Sequence, residues 1–349
     1  MPSDYSRQML LREVGAEGQA KLGRSRVLVI GAGGLGSPVL QYLTGAGIGC
    51  IGIVDADVLD PSNLHRQPLY SLDDVGRPKA GLAAAALRNI NPSVLIETHA
   101  IRFDADNALD LVRRYDLVID CSDNFRTKFL INDAAVLAKK PAVFASVYQY
   151  EGQLQVYAPD DGHACLRCLW PQASDDGVVG NCAEAGVLGP VPGAFGAMQA
   201  LLALKILLNI AGRLENELLL MDFMNFSTVK LKAPRRAGCR APDCGLVRPP
   251  AGEEADLEVR LANLAEALAR GMQVIDIRSD EEVAATLAAG RHIPMSALLA
   301  DPGLLSPAGC YLLVCASGQR SLAAARALRA AGIRAQSLAY GLKGLDETD

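Results

Sequence analysis

Arg26-Val-Leu-Val-Ile30-Gly31-Ala-Gly33-Gly34-Leu-Gly36 decides the fold of this chain. An uninterrupted apolar run reads as a buried strand, the glycines as its turn, and Ser37 to Ala46 as the helix that the turn opens. Cys50-Ile-Gly-Ile-Val54 reads as the next strand, and it ends at Asp55, 19 positions beyond Gly36. Glycines let backbone approach phosphates, a helix N-terminus favours their charge, and an acid at that distance accepts ribose hydroxyls. The pattern alone fits NAD, FAD and ATP equally.

Outward from this unit the alternation continues. Lys79 to Asn89 reads as a helix, Asp116-Leu-Val-Ile-Asp120 as a strand, and Pro141 to Val147 and Gln153 to Tyr157 as further strands of a mostly parallel sheet. From Lys232 to Ala255 the pattern breaks into prolines, glycines and cysteines. A new alternation then begins, with strands at Val274–Arg278 and Tyr311–Cys315 and a helix at Ser321–Ala331. The expected organisation is α/β throughout: a Rossmann-like domain over 1–247, a linker over 248–256 and a small α/β domain over 257–349.

Composition narrows the class. Half of the 349 residues are hydrophobic, 21% are charged and the net charge is −5, so nothing suggests a nucleic-acid partner. The longest apolar stretch, Ala194 to Ala211, contains Gln199 and Lys205 and suits a core helix better than a membrane span. Asp4, Arg7, Arg12 and Glu13 interrupt any leader-like run. Nine cysteines, an odd number, argue for thiol or metal chemistry in a reducing compartment, and the expected location is the cytoplasm.

The segment past Asp55 separates the nucleotide chemistries. Asp55-Ala-Asp57 is followed by Ser62-Asn63-Leu-His-Arg66-Gln67 and by Gly76-Arg-Pro-Lys79. Hydride transfer needs no cations near the phosphates, whereas attack of a carboxylate on the α-phosphate of ATP does, because charge builds on the phosphoryl oxygens and the departing pyrophosphate. The strand through Asp120 runs into Cys121-Ser-Asp123-Asn124, at the edge where open α/β sheets bind ligands. Asp123 is placed to hold Mg²⁺ or to position phosphates, and a helix N-cap is the bland alternative for Asp123 or Asn124.

Together with Tyr5-Ser-Arg7-Gln8, these stretches resemble the E1-like adenylating family of molybdopterin and thiamine biosynthesis, the MoeB/ThiF class, over residues 4 to 245. The resemblance implies Gly31, Gly33, Gly34 and Gly36 against the ATP phosphates, Asp55 on the ribose with Asp57 beside it, and Ser62, Asn63, Arg66, Gln67 and Lys79 around the phosphates. Arg66 and Lys79 support the transition state, and Asp123 with Asn124 serves Mg²⁺. Arg7 resembles an arginine that reaches into a neighbouring subunit, so a homodimer is implied. The implied substrate is the C-terminal glycine carboxylate of a small ubiquitin-fold sulfur carrier ending in Gly-Gly.

Cys165-Leu-Arg-Cys168, with Cys239 and Cys244, reads as two knuckles of a tetrahedral structural zinc site, and the family carries one at these places. Four residues separate the second pair, where two are usual; the alternative is a vestigial site with free thiols. Cys182, in Gly180-Asn-Cys182-Ala-Glu-Ala-Gly-Val-Leu-Gly-Pro190, matches a cysteine that some members link covalently to the carrier, and a structural role stands beside that reading. Cys50, Cys121 and Cys310 lie in apolar strand patterns and read as inert thiols.

In the second domain Cys315-Ala-Ser-Gly318-Gln-Arg320 follows a strand and opens a helix, a cradle for a persulfide or another compact anion to which Arg320 adds charge. With Asp276-Ile-Arg278 and His292-Ile-Pro294 it resembles the rhodanese fold. Four residues lie between Cys315 and Arg320, against five in the related phosphatases, which weakens a phosphatase reading. Arg291 and Met295 stand where glycines are usual, and a docking domain without activity is the alternative.

The two halves predict one sequence of events: ATP adenylates the carrier, and a Cys315 persulfide, loaded by a donor such as a cysteine desulfurase, converts it to a thiocarboxylate. A nicotinamide-dependent oxidoreductase would leave Arg66, Lys79 and the second domain unexplained.

Overall fold

The computed structural model describes residues 4–159, 162–170, 186–237, 239, 257–286, 289–316, 318–339, 341–342 and 345. Cys182, Cys244 and the expected linker at 248–256 lie outside these residues. The described chain divides into two units, one within 4–239 and one within 257–345.

The first unit is built on an eight-stranded sheet. Its strands are β1 (Arg26–Ile30), β2 (Cys50–Val54), β3 (Leu95–His99), β4 (Leu117–Asp120), β5 (Ala142–Tyr148), β6 (Glu151–Tyr157), β7 (Glu217–Asp222) and β8 (Ser227–Lys232), in the order β3-β2-β1-β4-β5-β6-β7-β8. The first five in that order are parallel, and β6 to β8 are antiparallel. Successive residues of β1 feed opposite cores: Val27 and Val29 join Ile51, Ile53, Leu117 and Ile119 on one face, while Leu28 and Ile30 join Val54 and Val118 on the other. This is why β1, β2 and β4 read as apolar without alternation, for both faces are covered. Gly52 interrupts β2 because the Tyr115 ring occupies the space of its missing side chain.

Helices seal the two faces. Gly36–Ala46 lies on the first core, and Phe125–Ala138 contributes Ile131, Ala134 and Ala135 to the second. The apolar stretch read at Ala194–Ala211 forms the helix Pro190–Leu208; it starts earlier because Pro190 sits at the first helical position, and it stops at Asn209 in a left-handed cap. By length and composition this helix is able to cross a membrane. Here Phe195, Gln199 and Ala203 are buried, and Gly196 presses onto the Leu35 carbonyl. Its amide-bearing Gln199 donates to the Asp120 carbonyl at 2.7 Å, a bond that ties the helix to the end of β4.

The second unit is a five-stranded parallel sheet of β9 (Glu258–Val259), β10 (Gln273–Asp276), β11 (Arg291–His292), β12 (Cys310–Val314) and β13 (Arg334–Leu338), ordered β11-β10-β12-β13-β9. Leu313, Ala324, Ala325, Leu328 and Ala335 are among the fully buried residues of its larger core, where the helix Gln319–Ala330 packs. Beyond the strands read from the sequence, β3, β7, β8, β9, β11 and β13 complete the two sheets.

The tightest packing in the first unit is backbone on backbone. Gly31 has φ +98°, and a side-chain carbon there would lie 2.5 Å from the Cys121 carbonyl oxygen; one at Gly36 would collide with the Gly31 carbonyl. The Gly31 amide donates to the Val54 carbonyl and the Cys121 amide to the Ile30 carbonyl, both at 2.8 Å, so neither segment shifts without losing a bond at the sheet end. We therefore expect Gly36→Ala to cost on the order of 3 kcal/mol in denaturant unfolding.

Candidate functional site

The glycine loop leaves β1 at the point where the strand order reverses, between β1 and β4. Two contacts fix it. The Ala32 amide donates to Asp55 Oδ2 at 2.7 Å, and the Tyr70 hydroxyl donates to the Ala32 carbonyl at 2.7 Å. Asp55 also accepts the Asp57 amide at 2.8 Å on its other oxygen. Burial, then the charge of Asp57, pushes the Asp55 carboxyl up, against Lys79 and the two amides.

Lys79 opens the helix Lys79–Ile90, is 5% exposed, and points its ammonium at Asp57 Oδ2, 3.1 Å away. A buried ammonium whose nearest anion is mostly exposed is a cation held ready for another anion. Gln67 is buried with its amide nitrogen beside Gly33, and its Oε1 finds no hydrogen-bond partner among the described residues. An orphaned acceptor at a glycine loop fits a bound group that supplies the missing donor.

Arg66 meets the loop through its backbone. Its Nη1 donates to the Ser62 carbonyl at 2.9 Å, and its own carbonyl faces Gly34 together with Pro192, from the first turn of Pro190–Leu208. Ser62 and Asn63 are engaged in their own turn: the Ser62 hydroxyl bonds Asp60 at 2.5 Å and Asn63 Oδ1 accepts the Asp60 amide at 3.3 Å. Their side chains therefore hold the turn that carries Arg66.

At the end of β4 the two alternatives for Asp123 and Asn124 separate. Asn124 is the N-cap of Phe125–Ala138, accepting the Thr127 amide at 2.8 Å, while Asp123 is exposed and one of its oxygens accepts the Asn124 side-chain amide at 3.4 Å. Beneath them Asp120 is fully buried, accepts the Ser122 hydroxyl at 2.5 Å, and pairs with buried Lys128, which also donates to the Ala145 carbonyl at 2.6 Å. Sequence reading missed Asp120, Lys128, Gln199 and Tyr70. The available signal was polarity in otherwise apolar helical faces, at Lys128 and Gln199.

Arg7 is not brought to this loop within its own chain. It sits on the short helix Ser6–Met9, whose neighbours Gln8 and Tyr5 are bound at Ala46 and Gly47, the far end of Gly36–Ala46. That helix is roughly 16 Å long at about 1.5 Å per residue.

Cys165, Cys168 and Cys239 bring their sulfurs within 4.8 Å of one another, and the first two are 3.9 Å apart. Thiolates about 2.3 Å from a tetrahedral zinc lie about 3.8 Å from each other, so the spacing fits three corners of such a site. Burial pushes the Cys168 thiol up, but the Arg236 amide, the Cys239 thiol and the Cys165 amide outweigh it and hold it below the ordinary range. Arg167, between the paired cysteines, clamps this knuckle to Asp133 at 2.7 and 2.8 Å. Cys121 and Cys50 are buried with thiols pushed up, the latter to about 11, and Cys310 is half-buried.

In the second unit Cys315 is fully buried at the end of β12. Its sulfur accepts the Gly318 amide at 3.2 Å and lies 3.4 Å from the Ser321 hydroxyl, which is 2.8 Å from that of Ser337. Arg320 turns to Glu282, donating twice at 2.8 and 2.6 Å. Asp276 and Arg278 form a second bidentate pair in the buried interior, and His292 bonds the Arg278 carbonyl at 2.8 Å, so these motif residues hold the loop's neighbours in place.

A family model, that of the ThiF family, matches residues 5–241. A sulfur carrier protein adenylyltransferase of Thermus thermophilus is 49% identical over 245 residues, 69% of this chain and 90% of that protein. A probable adenylyltransferase/sulfurtransferase MoeZ of Mycobacterium tuberculosis is 38% identical over 345 residues, 94% of this chain and 88% of that one. An adenylyltransferase and sulfurtransferase MOCS3 of Aedes aegypti is 48% identical over 237 residues, 67% of this chain; the match takes in 54% of that protein, about half its length. Among solved structures, E. coli MccB with ATP shares the fold, with TM-score 0.60 and 24% identity over 68% of this chain and 73% of that one.

The Glu282 pair sets an acid limit. Two Arg320 bonds hold Glu282 down to about 2 from an ordinary 4.5, burial opposing them. A depressed carboxyl stabilises above its unfolded value and loses that contribution as pH falls through the folded one. The stability difference between wild type and Glu282→Gln should be full at neutral pH and shrink as pH falls from about 4.5 toward about 2, read by denaturant unfolding at each pH.

Proposed function

This chain belongs to the ThiF family, and on that premise we propose that it adenylates the C-terminal glycine of a small ubiquitin-fold sulfur carrier ending in Gly-Gly and then exchanges AMP for sulfur from Cys315. The observation that carries the first half is the buried Lys79 ammonium, paired with Asp57 two residues from the Asp55 that holds the glycine loop, with an unsatisfied oxygen on the Gln67 side chain beside Gly33. The relatives' names, a sulfur carrier adenylyltransferase and adenylyltransferase/sulfurtransferases, support the substrate and the order of the two steps.

ATP is the co-substrate. The carrier carboxylate attacks its α-phosphorus and pyrophosphate leaves. Lys79 and Arg66 offset the charge that gathers on the phosphoryl and leaving oxygens, the loop amides of Gly33 and Gly34 line the phosphates, and Asp55 takes the ribose. Mg²⁺, held by Asp123, would supply further charge neutralisation; Asp123 is suited to it by an exposed carboxylate, one oxygen of which takes a long 3.4 Å bond from Asn124. A Cys315 persulfide then attacks the acyl carbonyl and expels AMP. A second thiol, that of Cys182 or one from solution, attacks the Cys315 sulfur of the resulting acyl disulfide and releases the thiocarboxylate.

Three further assignments belong to this reading. Zinc is the ion for Cys165, Cys168 and Cys239, with Cys244 as fourth ligand, and it has a structural role. The active form is a homodimer, supported by the remoteness of Arg7 from its own glycine loop and by the apolar groove between Gly36–Ala46 and Pro190–Leu208, where Tyr42 and Leu201 are 59% and 58% exposed. The persulfide comes from a donor such as a cysteine desulfurase, in the cytoplasm.

The test is carrier-dependent ATP–pyrophosphate exchange across a panel of ubiquitin-fold proteins ending in Gly-Gly. One carrier should support exchange, and Lys79→Ala or Asp123→Ala should lower it by about a hundredfold or more, while Cys315→Ala leaves it intact. Exchange that survives in Lys79→Ala would contradict the assignment of the phosphate site.

A further inference from the structure

Arg320 lies in the first turn of the helix that follows Cys315, where a free guanidinium would serve any anion in the loop. Its two terminal nitrogens instead donate to the two oxygens of Glu282, at 2.8 and 2.6 Å. Such a fork-to-fork pair is the strongest arrangement a guanidinium makes. Glu282 is itself fixed: its Oε2 accepts the Ser279 amide at 2.9 Å, and its own amide donates to the Ser279 hydroxyl at 3.3 Å. Asp280 and Glu281, both exposed, precede it on the same turn, so the element that reaches Arg320 is acidic.

The sulfur is supported differently. Gly318 N–H and the Ser321 hydroxyl face it, and both are neutral. Neutral neighbours suit a single negative charge on sulfur, with the Gly318 amide donating to it and the Ser321 hydroxyl donating to the Gly318 carbonyl at 3.1 Å. A doubly charged oxyanion needs a cation, and to engage Arg320 it must displace a carboxylate and then sit beside it.

We propose that Glu282 selects the sulfur donor of the Cys315 site: by engaging Arg320 it turns away dianionic donors such as thiosulfate and leaves the site to monoanionic persulfides. This rests on Cys315 being the persulfide carrier. With a persulfide donor, the Cys315 thiolate attacks the terminal sulfur of R–S–S⁻, the donor S–S bond breaks, and RS⁻ leaves with its electron pair. With thiosulfate the thiolate attacks the outer sulfur and sulfite leaves in the same way. Each route moves one sulfur atom without net oxidation, and the donors differ in charge.

The experiment uses the full chain as wild type and as Glu282→Gln, with cysteine persulfide or thiosulfate as donor. Loading is read as the mass of one sulfur atom on the intact protein and as thiocyanate released by cyanide. Glu282→Gln should lower KM for thiosulfate by about tenfold and leave KM for cysteine persulfide within about twofold. Unchanged thiosulfate KM in a variant that stays folded at the assay temperature overturns the proposal, as does an equal change for both donors. A second measurement needs no variant: inorganic sulfate should not compete with cysteine persulfide in the wild type, and competition at low millimolar sulfate also overturns it. If neither donor loads wild type or variant, the sulfurtransferase reading itself fails, an outcome distinct from loading without selectivity.

Discussion

The first unit depends on one close approach, the passage of Gly31 against the Cys121 carbonyl with Gly36 pressed onto Gly31. It exists because the chain crosses from one side of the sheet to the other between β1 and β4, and only bare backbone fits at the crossing. The candidate nucleotide site of that unit is hung from this point. The Ala32 amide is aimed at Asp55, Gly33 sits under Gln67, and Gly34 faces Arg66 and Pro192. On the other side of the same crossing, Asp120 and Lys128 form a buried pair that bears on the loop carrying Asp123. Burying that pair costs solvation, which its additional bonds to Ser122 and Ala145 offset.

The two units handle charge in opposite ways. In the first, Lys79 is buried with a mostly exposed acid as its neighbour, so its charge is available to a ligand. In the second, Arg320 is committed to a fixed carboxylate, and the sulfur relies on an amide and a hydroxyl. A multiply charged nucleotide and a singly charged sulfur call for those different solutions.

Much of this was legible in the sequence where local pattern dictates structure. The strand–glycine–helix unit at 26–46, the acid at 55 and the strand ending at 120 are all set by short-range patterning, and the parallel sheet follows from them. Helix starts shifted by a residue or more where a cap or Pro190 decided them. The antiparallel edge of β7 and β8 was missed, since β8 is exposed along its whole length and carries no core pattern. Contacts between distant segments were not readable either. Nothing near Gln199 in the chain points to the Asp120 carbonyl, and nothing near Arg320 points to Glu282, 38 positions earlier. Sequence reading gave Arg320 to the anion on Cys315; its guanidinium is found on Glu282.

The most direct test of the account is whether both units act on one carrier in one sequence. The full chain would be incubated with the carrier it activates, ATP and a persulfide donor, and the carrier followed by intact mass. Wild type should replace one carrier oxygen with sulfur, and Cys315→Ala should stop at the adenylate. Thiocarboxylate formed equally well by Cys315→Ala would contradict it, because the sulfur would then reach the carrier without the second unit.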